Sequence, residues 1–159
     1  MKLLIWPLLL VAAWIGHGRL MFTESRVMPL VTQNTMQVFS GDNKACDFYT
    51  DDVQVDLESD QRAGRWEVEG GKDELCGYMR KAAAAFVLLD AQVHTEYSDV
   101  KLERKGFPWT EATLHYTEHV TVQTDKLPTM TFTSDDELIL VRTLTGVKVR
   151  SVHSRGTQR

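Results

Sequence analysis

The 159-residue sequence is short of cysteine, proline and positive charge. Two cysteines, Cys46 and Cys76, are too few for a small scaffold held together by cross-links. Neither has a second Cys or a His at zinc-ligand spacing, so no metal site is expected from them. Against 22 Asp and Glu there are only 18 Lys and Arg, giving a net charge of -4. That balance lacks the basic face that nucleic-acid binding requires. The four prolines and ten glycines never gather into a linker, and there is no internal repeat. Missing too are a phosphate-binding P-loop, a GxSxG elbow, an HExxH helix and a dinucleotide fingerprint. No cofactor is implied. What is present is 43% apolar and 25% charged, an ordinary globular composition for one domain.

One long apolar run breaks the pattern. Lys2 is followed by Leu3 to Ile15, and no Asp, Glu, Lys or Arg intervenes before Arg19. A positive start and an apolar run of this length read as a secretory leader, with Gly16 and Gly18 placed for cleavage after Gly18. A retained membrane anchor extending to Phe22 is the rival. A buried core helix is a third reading, weakened by Pro7 inside the run. Residues 1–22 are thus expected to be a signal peptide or anchor and residues 23–159 the folded domain. Its address would be periplasmic, secreted or membrane-tethered, with membrane contact only through residues 1–22. In such a compartment Cys46 and Cys76 can pair as a disulfide, or remain two small buried thiols.

Hydrophobic periodicity divides the rest. Ser25 is placed to cap a helix to about Phe39, with Met28, Val31, Thr35 and Val38 or Phe39 on one face. Asp42 can cap a short second helix through Tyr49. Val53, Val55 and Leu57 alternate with polar residues as a half-buried strand, Ser59-Asp60 reads as a turn, and Trp66 and Val68 suggest a second strand. After Gly70-Gly71, Leu75, Tyr78, Met79, Ala82, Phe86 and Leu89 form a helical stripe. Four strands follow, near Gln92–Lys105, Thr110–Thr124, Thr129–Thr143 and Val147–Ser154. The order ααββαββββ, with short connections, predicts an α+β domain: helices packed on a curved antiparallel sheet.

That order, with certain residues, resembles the nuclear transport factor 2-like superfamily, which includes ketosteroid isomerases and polyketide cyclases. The residues are Gly41-Asp42, Tyr49 to Val55, Gly71 to Leu75, Phe107 to Thr113 and Gly146 to Ser154. The resemblance runs from about Met28 to Arg155 and implies a cystatin-like cone around an apolar pocket. It also implies a possible homodimer. In that family the pocket serves catalysis in some members and only ligands or partners in others.

The isomerase type carries an Asp base eight residues beyond the Tyr that opens the Tyr-x-Asp-Asp stretch; here that position is Leu57. Asp56 is one residue away and so belongs to the other face of the strand. Asp51-Asp52 reads as the end of the short helix rather than a catalytic dyad. Glu118 is the stronger candidate, because it shares a strand face with Ala112, Leu114, Tyr116, Val120 and Val122. A carboxylate on an apolar face has a raised pKa and can act as general base, with Tyr116 or Tyr78 as a donor. It can equally be a structural group bonded to a Tyr or an Arg, with Arg142 as a candidate ion partner, or be turned outward by a strand bulge. Trp66, Tyr78 and Trp109, with Arg142, are candidate ligand-binding residues, against the default of core packing for aromatics. His115 and His119 lie about 13 Å apart on one strand, too far to share a metal. Two functions follow: a non-catalytic module binding a small apolar ligand or a partner, or a small lyase, isomerase or hydrolase using Glu118.

Overall fold

The computed structural model describes residues 5–61, 64–125, 127–144 and 146–158. Three helices, α1 (Ile5–Met21), α2 (Glu24–Ser40) and α3 (Lys72–Leu88), accompany six strands. These are β1 (Tyr49–Gln61), β2 (Gly64–Gly70), β3 (Gln92–Lys105), β4 (Glu111–Gln123), β5 (Met130–Arg142) and β6 (Val147–Gln158). A 3-10 turn, Asn43–Phe48, links α2 to β1. The strands form one sheet in the order β2-β1-β6-β5-β4-β3. Four of its five pairings are antiparallel, and β1 with β6 is parallel. The purely antiparallel expectation is corrected at that one seam. The chain passes through β2, α3 and three further strands before β6 returns beside β1, and the first and last strands run the same way.

Strand pleat explains the core. In β1 the buried residues are Tyr49, Val53, Val55, Leu57 and Ser59, every second position from Val53 onward. β4 and β5 add Ala112, Leu114, Tyr116, Leu138 and Leu140 to the same face. Irregular register at Ser98/Lys101 in β3, and at Arg150 in β6 opposite Ile139/Leu140, marks bulges, which bend a sheet. Against the concave side lie Val27 and Val31 of α2 and Leu75 and Met79 of α3.

Local chemistry sets the boundaries, and three differ from expectation. The N-cap of α2 is Thr23, whose carbonyl accepts from Arg26 and Val27, so Ser25 is already helical. The helix stops where Gly41 adopts φ 73, a conformation glycine takes without penalty. Ser59 and Asp60 are not a turn: they pair with Trp66 and Arg65 inside the β1–β2 hairpin. Residues 62–63 lie outside the described residues. β6 runs four residues beyond Ser154. Asp42 does cap the 3-10 turn, its Oδ1 accepting from the Lys44 amide at 2.9 Å. Asp51 sits at the start of β1, exposed, and pairs with Lys72 at 2.7 Å.

Cys46 and Cys76 form a disulfide that joins the 3-10 turn to α3, with Cα atoms 5.9 Å apart. Closing a loop of 30 residues restricts the unfolded chain by about 3–4 kcal/mol in the chain-entropy account.

The N-terminal run is helical, with Pro7 in its first turn, where proline costs little. Its C-terminal end docks on the domain. Gly18 is buried at the Pro108-Trp109 turn, where an added Cβ would lie 2.9 Å from the Pro108 carbonyl oxygen. Phe22 is fully buried and its carbonyl accepts from Arg104 Nε at 2.8 Å. Leu10, Val11, Trp14 and Leu20 stay exposed, unlike the side chains of a buried core helix. Among the described residues no helix is long and apolar enough to cross a membrane.

Candidate functional site

Between α2, α3 and the concave face of the sheet lie two adjoining chambers. The outer has a volume of about 400 Å³ and is walled mostly by apolar groups, among them Phe39, Trp66, Phe86, Val120 and Phe132. The inner, about 180 Å³, is reached by Asn34, Tyr49, Tyr116 and Asp136. Val38, Phe39, Leu57, Tyr78, Glu118 and Ser154 line both, which places Glu118 at their junction.

Sheet register builds this junction. Glu118 on β4 faces Tyr97 on β3 and Ser134 on β5. Two residues along, Tyr116 pairs with Asp136, Asp136 with Ser154, and Ser154 with Leu57. Each row points into the cone because its members sit two apart on their strands. Ser134 Oγ donates to Asp136 Oδ2 at 2.8 Å. The Tyr97 hydroxyl donates to Thr35 Oγ1 at 2.9 Å, and Tyr49 donates to Asn34 Oδ1 at 3.0 Å. Asn34 in turn donates to the Ala45 carbonyl at 2.7 Å, tying the inner chamber to the disulfide-bearing turn. Tyr116 is buried, its ring edge-on to Tyr97. The buried Oε1 of Glu118 has no hydrogen-bond partner among the described residues.

The electrostatics follow from burial without a cation. Burial, then the neighbouring Asp136 charge, pushes Glu118 from its ordinary 4.5 up to about 7, while the Tyr97 hydroxyl works in the opposite direction. Burial also raises Asp136, with Ser154 and Ser134 holding it back. Tyr97 is pushed up to about 12, chiefly by burial. Tyr49 and Tyr116 rise for the same reason, with both carboxylates adding to the effect. The tyrosines are therefore proton donors at neutral pH, and Glu118 is poised between acid and base.

Sequence comparison gives nothing: no family model matches the chain, and no curated protein sequence matches it. Solved structures do match. A nuclear transport factor 2-like protein with a cystatin-like fold from Novosphingobium aromaticivorans superposes with TM-score 0.62 at 14% identity, over 91% of this chain and 86% of that one. A scytalone dehydratase-like protein from the same organism gives 0.64 at 11% identity, over 82% and 81%. The beta subunit of benzoate 1,2-dioxygenase from Burkholderia mallei gives 0.65 at 9% identity, over 87% and 91%. The fold is that of the nuclear transport factor 2-like superfamily.

Within this nuclear transport factor 2-like cone, the residues singled out in the sequence separate into two groups. Glu118, Tyr116, Trp66 and Tyr78 line the chambers, and the Trp66 and Tyr78 rings lie 5.0 Å apart. Leu57, at the isomerase-type base position, lines both chambers, while Asp56 lies on the other face with its carboxylate 2.8 Å from His153 Nδ1. Trp109 and Arg142 are elsewhere. Trp109 packs edge-on to Phe107 at the end of the sheet that receives α1. Arg142 is not the ion partner of Glu118. It donates to the Trp14 carbonyl at 3.1 Å and lies 5.0 Å above the Trp14 ring, because β5 at that point has left the cavity for the α1 docking site. His115 and His119 bond to Glu137 and to Ser98 and Thr133, and among the described residues no cluster suited to a metal occurs.

Sequence reasoning missed Asp136, Tyr97, Tyr49 and Asn34. For Asp136 a signal existed: it alternates with Leu138 and Leu140, which marks the inner face. The flanking Asp135 and Glu137 disguise it as part of a solvated acidic run. Tyr97 and Asn34 carry no such mark, since their place depends on the β3–β4 register and on how α2 lies across the sheet.

Proposed function

We propose that this chain binds a small apolar molecule in the outer chamber and moves a proton on it with Glu118. The unpartnered, buried Glu118 Oε1 at the chamber junction carries the reading. A buried acceptor with no partner is costly, and such groups cluster where a ligand or reaction uses them. Its raised pKa suits a group that must accept a proton and return it near neutral pH. The ionised carboxylate takes a proton from an acidic C–H or O–H of the ligand. The Tyr116 hydroxyl donates a hydrogen bond to the oxygen that becomes negative. Return of the proton to a different atom completes an isomerisation; return to a departing hydroxyl completes an elimination. Superposition on a scytalone dehydratase-like protein is compatible with the second outcome. The alternative, a binding module without turnover, is favoured by Leu57 standing where the isomerase-type base would be. Comparing wild type with Glu118→Gln separates the two. Turnover of any accepted substrate falls at least 100-fold, with binding of neutral ligands retained, if Glu118 is the base, and is unchanged if it is not.

We place the domain in an oxidising compartment, with α1 as its export segment. The Cys46–Cys76 disulfide and the leader-like run support that address. Self-association, suggested by the family resemblance, would use the exposed polar outer face of the sheet. Intact mass of protein purified without reductant tests the address through leader loss and a deficit of two hydrogens. The same spectrum under native conditions reports subunit number.

A further inference from the structure

We propose that the inner chamber is a recognition site for a protonated amine, so that the ligand is an apolar molecule ending in an ammonium group. The proposal rests on the pocket reading above, but not on turnover. Its starting point is a charge imbalance. Among the described residues, those lining the two chambers include three carboxyl groups and no Lys, Arg or His; Glu58, at the outer chamber, pairs with Arg65 and Arg155, whereas Glu118 and Asp136 have no such cation. Buried carboxylates in proteins are paired with cations or metals, and here the side-chain complement is missing. The one arginine expected to supply it, Arg142, lines neither chamber.

The surroundings fit an ammonium better than a neutral hydroxyl or an anion. Tyr49, Tyr78 and Tyr116 line the inner chamber, and the Tyr97 ring packs edge-on to Tyr116 at 5.5 Å. Aromatic faces beside a buried carboxyl pair attract a cation twice, through the ring quadrupole and through the charge. One buried oxygen in the chambers is left unpartnered to receive its protons, Glu118 Oε1. Asp136, held by Ser134, is the fixed anchor, and Glu118 is the flanking charge at the junction. The apolar remainder of the ligand extends into the outer chamber past Phe39 and Phe86. An anion is disfavoured by both carboxyl groups. Seating a cation here also keeps Glu118 ionised, which is the form a general base needs, so recognition and catalysis support one another.

Three probes with one ring system and different heads test this: 1-naphthalenemethylamine, 1-naphthalenemethanol and 1-naphthoate, titrated by calorimetry at pH 8 into the full chain. The amine is expected to bind at least ten-fold more tightly than the alcohol, and the carboxylate most weakly. In Glu118→Gln and in Asp136→Asn the advantage of amine over alcohol should shrink to less than three-fold, with alcohol affinity retained as proof that the chamber is intact. Equal binding of amine and alcohol by wild type overturns the amine proposal and leaves the apolar pocket standing. An amine advantage that survives in both variants also overturns it, because the cation is then held on the acidic surface. No binding by any probe overturns the pocket reading and this one together.

Discussion

Replacing Glu118 by Gln should stabilise the protein, and only above a definite pH. The unfolded chain ionises Glu118 at its ordinary 4.5, whereas the folded chain holds the proton until about pH 7. Between those values the native state binds more protons than the unfolded state, so stability falls as pH rises through the window. Each unit is 1.36 kcal/mol, so the ionised, buried carboxylate costs the fold about 3 kcal/mol at pH 8. Gln has the same shape and no charge. The variant should exceed wild type by about 3 kcal/mol at pH 8, a rise of about 6–12 °C in Tm for a domain of this size. At pH 4 the carboxyl is neutral in both states and the two proteins should coincide. Urea titrations at half-unit intervals from pH 4 to 8 would give the whole curve. A pH-independent difference, or a variant less stable than wild type at pH 8, would refute the reasoning. The buried carboxylate would then have a compensating partner beyond the Tyr97 hydroxyl.

Other consequences are sharp enough to measure. Asp136→Asn removes a charge that raises Glu118, so the steep part of the wild-type stability curve should move to lower pH in that variant. Cys46→Ser should cost about 3–4 kcal/mol in chemical denaturation, and reduction of wild type should cost the same. A loss below 1 kcal/mol would mean that the turn is held by Asn34 and its neighbours alone. Ala82→Phe places a ring in the outer chamber, and should abolish binding of the naphthalene probes while shifting stability by less than about 1 kcal/mol, since it fills space rather than displacing packed atoms. Undiminished probe binding would place the ligand elsewhere.

Much of the fold was legible because strand and helix periods differ. The two-residue alternation from Gln92 onward located β3 to its ends, and the stripe from Leu75 to Phe86 located α3. Local chemistry was equally readable at Asp42 and Gly41. What failed was everything set by distant partners. The parallel β1–β6 seam joins residues about a hundred apart in the chain, and no local pattern encodes it. Ser59-Asp60 has turn-forming residue types, yet β2 pairing keeps it extended. At the site, Glu118 stood out because a charge among apolar neighbours on one strand face is anomalous by itself. Asp136 was hidden by two acidic neighbours that point the other way. Arg142 was a candidate partner for Glu118 because it alternates with Leu138 and Leu140, but it stands at the end of β5, beyond the chambers and beside Trp14.

The most direct measurement is the titration of the Glu118 side-chain carboxyl by carbon-detected NMR, using selectively labelled protein and Glu118→Gln for assignment. The account predicts a midpoint near pH 7 in the free protein, set by burial and by Asp136, and a fall in that midpoint when 1-naphthalenemethylamine is added. A midpoint at the ordinary 4.5, unmoved by the probe, would mean that Glu118 is neither buried without a partner nor part of a ligand site.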